Sequence, residues 1–242
     1  MKIMFLGTGA ADYDWSRYGE PGISGSTATN HGGALCVYVG AATLNNNTFS
    51  GNTTAKNGGA IYGGSATVTG SGNTFTSNTS NNNQLGGGAI YVTGSAVTLS
   101  GSTFTGNSTT ANGGAVTAYT NSTVTLTDTV AQSNTADNYG GFAYAYNSTI
   151  TLNSTSGHRN TLGSLSDDTK GNSARAGGAI FADTGATVNV ANADVGYNSA
   201  VNSGGALYYN TATGTVSGCT INHNSNGSAG GEAYGGVTLF QV

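Results

Sequence analysis

Apolar and polar residues alternate along this chain in short runs that return at a nearly fixed interval. The run Thr123-Val124-Thr125-Leu126-Thr127 puts Val124 and Leu126 on one side of an extended strand and three threonines on the other. The same pattern recurs as Thr67-Val68-Thr69, Val97-Thr98-Leu99, Thr149-Ile150-Thr151-Leu152, Thr187-Val188-Asn189-Val190 and Thr215-Val216. No window carries the 3.6-residue apolar period of a helix. Between these runs stand eight copies of a glycine-pair motif, beginning at Gly32, Gly58, Gly87, Gly113, Gly140, Gly177, Gly204 and Gly230. The steps between them are 26, 29, 26, 27, 37, 27 and 26 residues. A period of this length marks a solenoid, in which each repeat buries its apolar face against the next.

The unit beginning at Gly113 shows how one coil is written. Gly113-Gly114 forms a turn, Ala115 to Tyr119 a first strand, and Asn121-Ser122 a second turn. The Thr123 to Thr127 strand follows, and a third strand ends near Ala131. Three strands and three turns use up the repeat and leave no room for a crossover helix, so equivalent strands in successive coils pair in parallel. The expected fold is all-β: a right-handed parallel β-helix of about seven coils.

An apolar residue three places before an asparagine recurs as Phe49/Asn52, Phe75/Asn78, Phe104/Asn107, Val195/Asn198 and Ile221/Asn224, with degenerate copies Ala131/Asn134 and Thr169/Asn172. Stacked at one corner, these asparagines form a ladder in which each amide donates to one neighbour and accepts from the other. The phenylalanines stack inside the coil. Tyr62, Tyr91, Tyr144, Phe181, Tyr208 and Tyr234 form a second aromatic column that stabilises the sheet. Sequons at Asn52, Asn78 and Asn107 fall on inward ladder positions, which argues against glycans there.

Composition narrows the function. Only 7% of the 242 residues are charged, against about 25% in an ordinary domain. The net charge is −4 and no basic patch exists, which excludes nucleic acid as a partner. Few charges and many hydroxyls and amides suit an extracellular or cell-surface location. Cys36 and Cys219 fall in the first and seventh coils, too far apart for a disulfide, and are expected as free thiols filling small apolar core sites. There is no transmembrane segment and no convincing signal peptide. Residues 1–30 are expected as an N-terminal cap or fused segment, with Tyr13, Trp15 and Tyr18 covering the open core, and 31–242 as the repeat domain.

Pairing of GGA(I/L/V) with FxxN at this spacing resembles the repeats of chlamydial polymorphic outer-membrane proteins and related bacterial surface proteins. It is carried by Phe49-Ser50-Gly51-Asn52 leading to Gly58-Gly59-Ala60-Ile61, by Phe75 to Asn78 leading to Gly87 to Ile90, and by Phe104 to Asn107 leading to Gly113 to Val116. The resemblance implies the β-helical passenger of an autotransporter that acts in adhesion, although no C-terminal membrane barrel accompanies the repeats here. Separately, MKIMFLGTGAA (Met1 to Ala11) is similar to the first strand and turn of metallo-β-lactamase-fold hydrolases. Those enzymes need a dense His/Asp zinc motif, and His31, His158 and His223 form none, so no hydrolase function is carried over.

Candidate chemistry is sparse. Polysaccharide lyases and hydrolases built on β-helices need clustered carboxylates. Here Asp12, Asp14 and Glu20 fall in the cap, while Asp128, Asp137, Asp167, Asp168, Asp183, Asp194 and Glu232 sit at differing coil offsets. The reading is therefore a non-enzymatic surface or secreted structural repeat protein, adhesin-like and able to assemble end to end into fibres. A binding site is expected on the insertion of about ten residues in the fifth coil, which carries His158, Arg159, Asp167, Asp168 and Lys170. Asp167 and Asp168 offer oxygens to a calcium ion; no other cofactor is implied. A glycan or host-surface ligand is the expected partner. The first alternative is a carbohydrate-binding or carbohydrate-cleaving β-helix. The second is ice binding by an outward face of Thr43, Thr69, Thr98, Thr125, Thr151 and Thr215, which resembles the flat threonine face of β-helical ice-binding proteins.

Overall fold

A computed structural model describes residues 22–227 and the backbone of Ala233–Phe240. Among them the chain is an all-β parallel solenoid of about eight turns, close to the seven expected. Its one helical element is a single 3-10 turn, Asp168–Lys170. No helix of the described residues is long and apolar enough to cross a membrane. The expected cap residues Tyr13, Trp15 and Tyr18, the stretch from Met1 to Ala11, and Asp12, Asp14, Glu20 and Glu232 lie outside the described residues. Coil pairing is already established at Gly22–Ser24, which pairs with Thr48–Ser50, ahead of the boundary expected at residue 31.

Each coil has four strands, not the three expected. In one coil they are Ile90–Thr93, Ala96–Ser100, Thr103–Thr105 and Ser108–Thr109. We refer to the four resulting faces as the GGA, threonine, phenylalanine and short faces. The phenylalanine and short faces are separate eight-stranded sheets. The GGA and threonine strands join into one 14-stranded sheet through the continuous strand Leu207–Ser217. The short-face strands escaped the sequence because two residues, such as Thr79–Ser80, carry no readable period.

The glycine pair has two separate jobs. Gly87 holds φ at 74°, a left-handed value that L side chains avoid. At Gly88 coil-to-coil approach decides, since a Cβ there would lie 2.0 Å from the Gly114 carbonyl oxygen. The pair therefore lets neighbouring coils close up while Gly87 and Gly88 donate to the Asn112 and Gly113 carbonyls at 3.0 and 3.1 Å.

Inside, columns of like residues fill the coil. Phe49, Phe75 and Phe104 stack with centroids 5.0 and 4.8 Å apart and planes within 6°. The next coil has Ala131 at that position, paired in register with Phe104. The lost volume returns from the other side of the cavity: Phe142, in GGF rather than GGA, is fully buried and sits 5.6 Å from the Phe104 ring. A similar exchange closes the last coils, where the interior Tyr209 pairs with Ala182 while Gly214 occupies the column of Val188. Above Ala131 the column continues with Leu162, not with Thr169 as the Thr169/Asn172 spacing suggested.

The asparagine ladder is present as expected. Asn52, Asn78, Asn107, Asn134, Asn172 and Asn198 are fully buried, and each Nδ2 donates to the Oδ1 of the next at 2.9 Å. The second amide hydrogen is taken by a carbonyl of the preceding coil, as from Asn107 to Phe75 at 2.9 Å. A serine ladder at another corner, where Ala66 N–H donates to Ser95 Oγ, Ser95 N–H to Ser122 Oγ and Ser122 N–H to Ser148 Oγ, was not read from the sequence. Both cysteines are free thiols. Cys219 packs against the core edge, but Cys36 does not fill a core site: it pairs with Tyr62 and so starts the outer aromatic column. Burial raises the pKa of both thiols.

Candidate binding surfaces

The expected fifth-coil insertion is not one loop. The strand Asn160–Gly163 stays in register with its neighbours and divides it into two bulges, 154–159 and 164–171. Asn160 itself is a buried corner residue, accepting from Thr129 N–H at 2.9 Å and donating to the carbonyls of Asn153 and Ala191. The five candidate side chains are therefore split. His158 and Arg159 belong to the first bulge; Asp167, Asp168 and Lys170 belong to the second.

Most of these groups have structural partners. The Arg159 guanidinium donates to Asp194 at 2.7 Å and to the Ala193 carbonyl at 3.0 Å, tying the bulge to the next coil. His158 Nδ1 lies 3.1 Å from the Thr155 hydroxyl, which donates to Asp128 at 2.6 Å. That hydroxyl is the main cause holding the Asp128 carboxyl below its usual pKa. Asp167 caps the 3-10 turn: its Oδ1 accepts from Thr169 N–H and Oγ1, and its Oδ2 faces Lys170 at 3.3 Å. The Thr169 hydrogen bonds lower its pKa. Asp168 is exposed. Among the described residues no group of three or more His, Cys, Asp or Glu side chains is placed to hold a metal ion.

The threonine face is regular across seven described coils. Thr43, Thr69, Thr98, Thr125, Thr151, Asn189 and Thr215 stand in strict register, one per coil. A second column beside it runs Ala41, Thr67, Ala96, Thr123, Thr149, Thr187 and Thr213. Neighbouring hydroxyls touch at two places, Thr43 and Thr69 at 3.3 Å and Thr187 and Thr213 at 3.4 Å. At the interruption Asn189 Oδ1 accepts from the Thr215 backbone and hydroxyl. No formal charge stands on either column.

The outer aromatic column is also present, with one break. Tyr62 and Tyr91 stack at 5.6 Å, and Tyr144, Phe181 and Tyr208 continue at 5.9 and 4.8 Å. Thr117 occupies the gap, and the stack detours through Tyr119 and Tyr146, 5.1 Å apart. Tyr91 and Tyr144 are nearly buried, which pushes their phenol pKa values up; for Tyr144 a hydrogen bond to Asp183 at 2.8 Å adds to this. With their faces covered by each other, these rings are cohesive packing more than an open platform.

Fold and surface together define the chain as a parallel β-solenoid repeat protein built from near-identical coils. Two segments, residues 48–64 and 101–119, match the family model of the Chlamydia polymorphic membrane protein repeat. Each spans one FxxN corner and the glycine pair that follows: Phe49 to Ile61 in the first, Phe104 to Val116 in the second. They cover 36 of 242 residues, so the likeness is to the repeat unit. The intervening copy, lengthened before Gly87, falls outside the match. No curated protein and no solved structure matches the chain. The similarity of Met1 to Ala11 to metallo-β-lactamase-fold proteins receives no support from these comparisons.

Proposed function

We propose that this chain is a non-enzymatic, surface-displayed β-solenoid that presents an adhesive face on a rigid structural rod. The observation that carries the reading is the match of two coils to a membrane-protein repeat family, falling on residues that form the ladder and glycine-pair turns of an in-register solenoid. The fold supplies what such a role requires. Buried amide ladders and stacked rings tie successive described coils together, so strength does not depend on exposed ion pairs. A surface with few charges offers hydroxyls and amides to a partner without long-range repulsion. Beads coated with the purified chain should attach to cultured epithelial cells in a saturable manner, and soluble chain should compete. Attachment no better than that of albumin-coated beads would sink the adhesive part of the proposal.

A second reading, ice binding, is favoured by the two uncharged columns of the threonine face. Methyl and hydroxyl groups held at a fixed backbone repeat present a lattice of constant spacing, about 4.8 Å from coil to coil. If the face binds ice, wild-type chain will show thermal hysteresis and Thr98→Lys, at the middle of the array, will lose it with no change in melting. Absence of hysteresis in the wild type rejects this reading.

A further inference from the structure

On the short face the chain changes its chemistry halfway along the rod. After Ala28 in the first described coil, the buried position of the short strand is a hydroxyl residue in three successive coils: Thr54, Ser80 and Thr109. Thr54 donates to the Asn30 carbonyl and Ser80 to the Lys56 carbonyl, while Thr109 accepts from Ala111 N–H at 3.1 Å. The first two bonds reach back to the turn of the preceding coil, and the third holds the turn that follows Thr109. In the next three coils the same position is alanine: Ala136, Ala174 and Ala200. Both the side-chain volume and the clasp are lost. The register shift that follows puts one extra residue into Ala200–Ser203, where Val201 points outward by strand alternation and is 69% exposed.

A groove of about 320 Å³ opens over these three alanines. Its rim carries Asp137 and Arg175, at matching positions in adjacent coils. Among the described residues neither side chain takes part in an ion pair or a hydrogen bond, although Arg159 and Lys170, the other described cations near an acid, are both paired. Thr135, Ser173 and Ser199 line the same groove, one hydroxyl per coil, with Thr135 and Ser173 3.3 Å apart.

We propose that this groove binds a carboxylated sugar residue of a glycan. The unpaired guanidinium matches a carboxylate in a two-point fork. Asp137 accepts from sugar hydroxyls, the three hydroxyl side chains satisfy the remaining ring oxygens, and the exposed Val201 receives the apolar C–H face of the ring. Small polar ligands of this kind need a few placed polar groups over an apolar floor, which is what the groove contains. A net charge of −4 works against nonspecific capture of an anion, so binding would have to come from this local fork. The assignment rests on the adhesive reading and names its ligand class.

The test is titration of the full chain, followed by NMR, with glucuronate and N-acetylneuraminate, with glucose as neutral control and a short peptide bearing a free C-terminal carboxylate as the competing class. The sugar acids should bind and glucose should not. Arg175→Gln should weaken binding about tenfold or more, and Lys56→Gln, removing a cation elsewhere, should leave it unchanged. No binding, equal binding of glucose, equal binding of the peptide, or indifference to Arg175→Gln would each overturn the proposal. Bead attachment with the same variants separates the two ideas. Attachment kept by Arg175→Gln defeats the groove and leaves the adhesive reading standing; no attachment by the wild type defeats the adhesive reading whatever the sugars do.

Discussion

Asn107→Ala lowers the stability of the solenoid by about 2–6 kcal/mol, the cost of orphaning two buried donors at about 1–3 kcal/mol each. Asn107 Oδ1 accepts both the backbone N–H and the side-chain Nδ2 of Asn78, at 3.0 and 2.9 Å. Removing it strands both, and it also takes a donor away from the Phe75 carbonyl and from Asn134 Oδ1. Water cannot repair the loss, because Asn78, Asn107 and Asn134 are all fully buried. Asp at this position is no remedy, since a carboxylate accepts from Asn78 but cannot donate to Asn134. Chemical denaturation of wild type, Asn107→Ala and Asn107→Asp checks this. A midpoint unchanged in the alanine variant would show that the ladder does not bear on stability.

Phe142→Ala is expected to cost about 3–5 kcal/mol, the usual penalty for emptying a buried phenylalanine site. For a chain of this size that corresponds to a fall in melting temperature on the order of 10 °C. The informative variant is the pair. Ala131→Phe alone crowds the cavity already filled by Phe142 and costs about 1–3 kcal/mol. Combined, Ala131→Phe and Phe142→Ala recreate the arrangement around Phe104 and Ala115, and most of the stability returns. The two losses should therefore be far from additive. Additive losses would mean that Phe142 does not occupy the space left by Ala131.

Much of this was legible before any coordinates. The asparagine ladder, the phenylalanine stack and the threonine column recur as single residue types at a near-constant step, and parallel pairing turns constant step into vertical alignment. What escaped notice breaks that equivalence. Ala131 reads as a degenerate copy because its compensation lies eleven residues on, across the glycine turn. Thr169 mimics the FxxN spacing before Asn172, yet Leu162 holds the column, because an apolar side chain is pulled into the core wherever the connecting chain has slack. The bulges around Leu162 then looked like one projecting loop. The groove beside Arg175 was invisible for a different reason: Asp137, Arg175 and Val201 lie far apart in the sequence and line one groove only because their coils are neighbours in space.

The exchange of Ala131 and Phe142 also bears on how such a gene can lengthen or shorten. Arrays of similar repeats gain and lose copies by misaligned crossing-over, and most coils here are interchangeable, since each repeats the same columns. A junction falling between codons 131 and 142 costs stability. It would join Ala131 to an ordinary GGA turn and leave a hole, or join a phenylalanine coil to Phe142 and overfill one. The inherited module at this point is therefore offset from the glycine pair that marks the repeat to the eye, and the viable breakpoints are set by which side chains share a cavity.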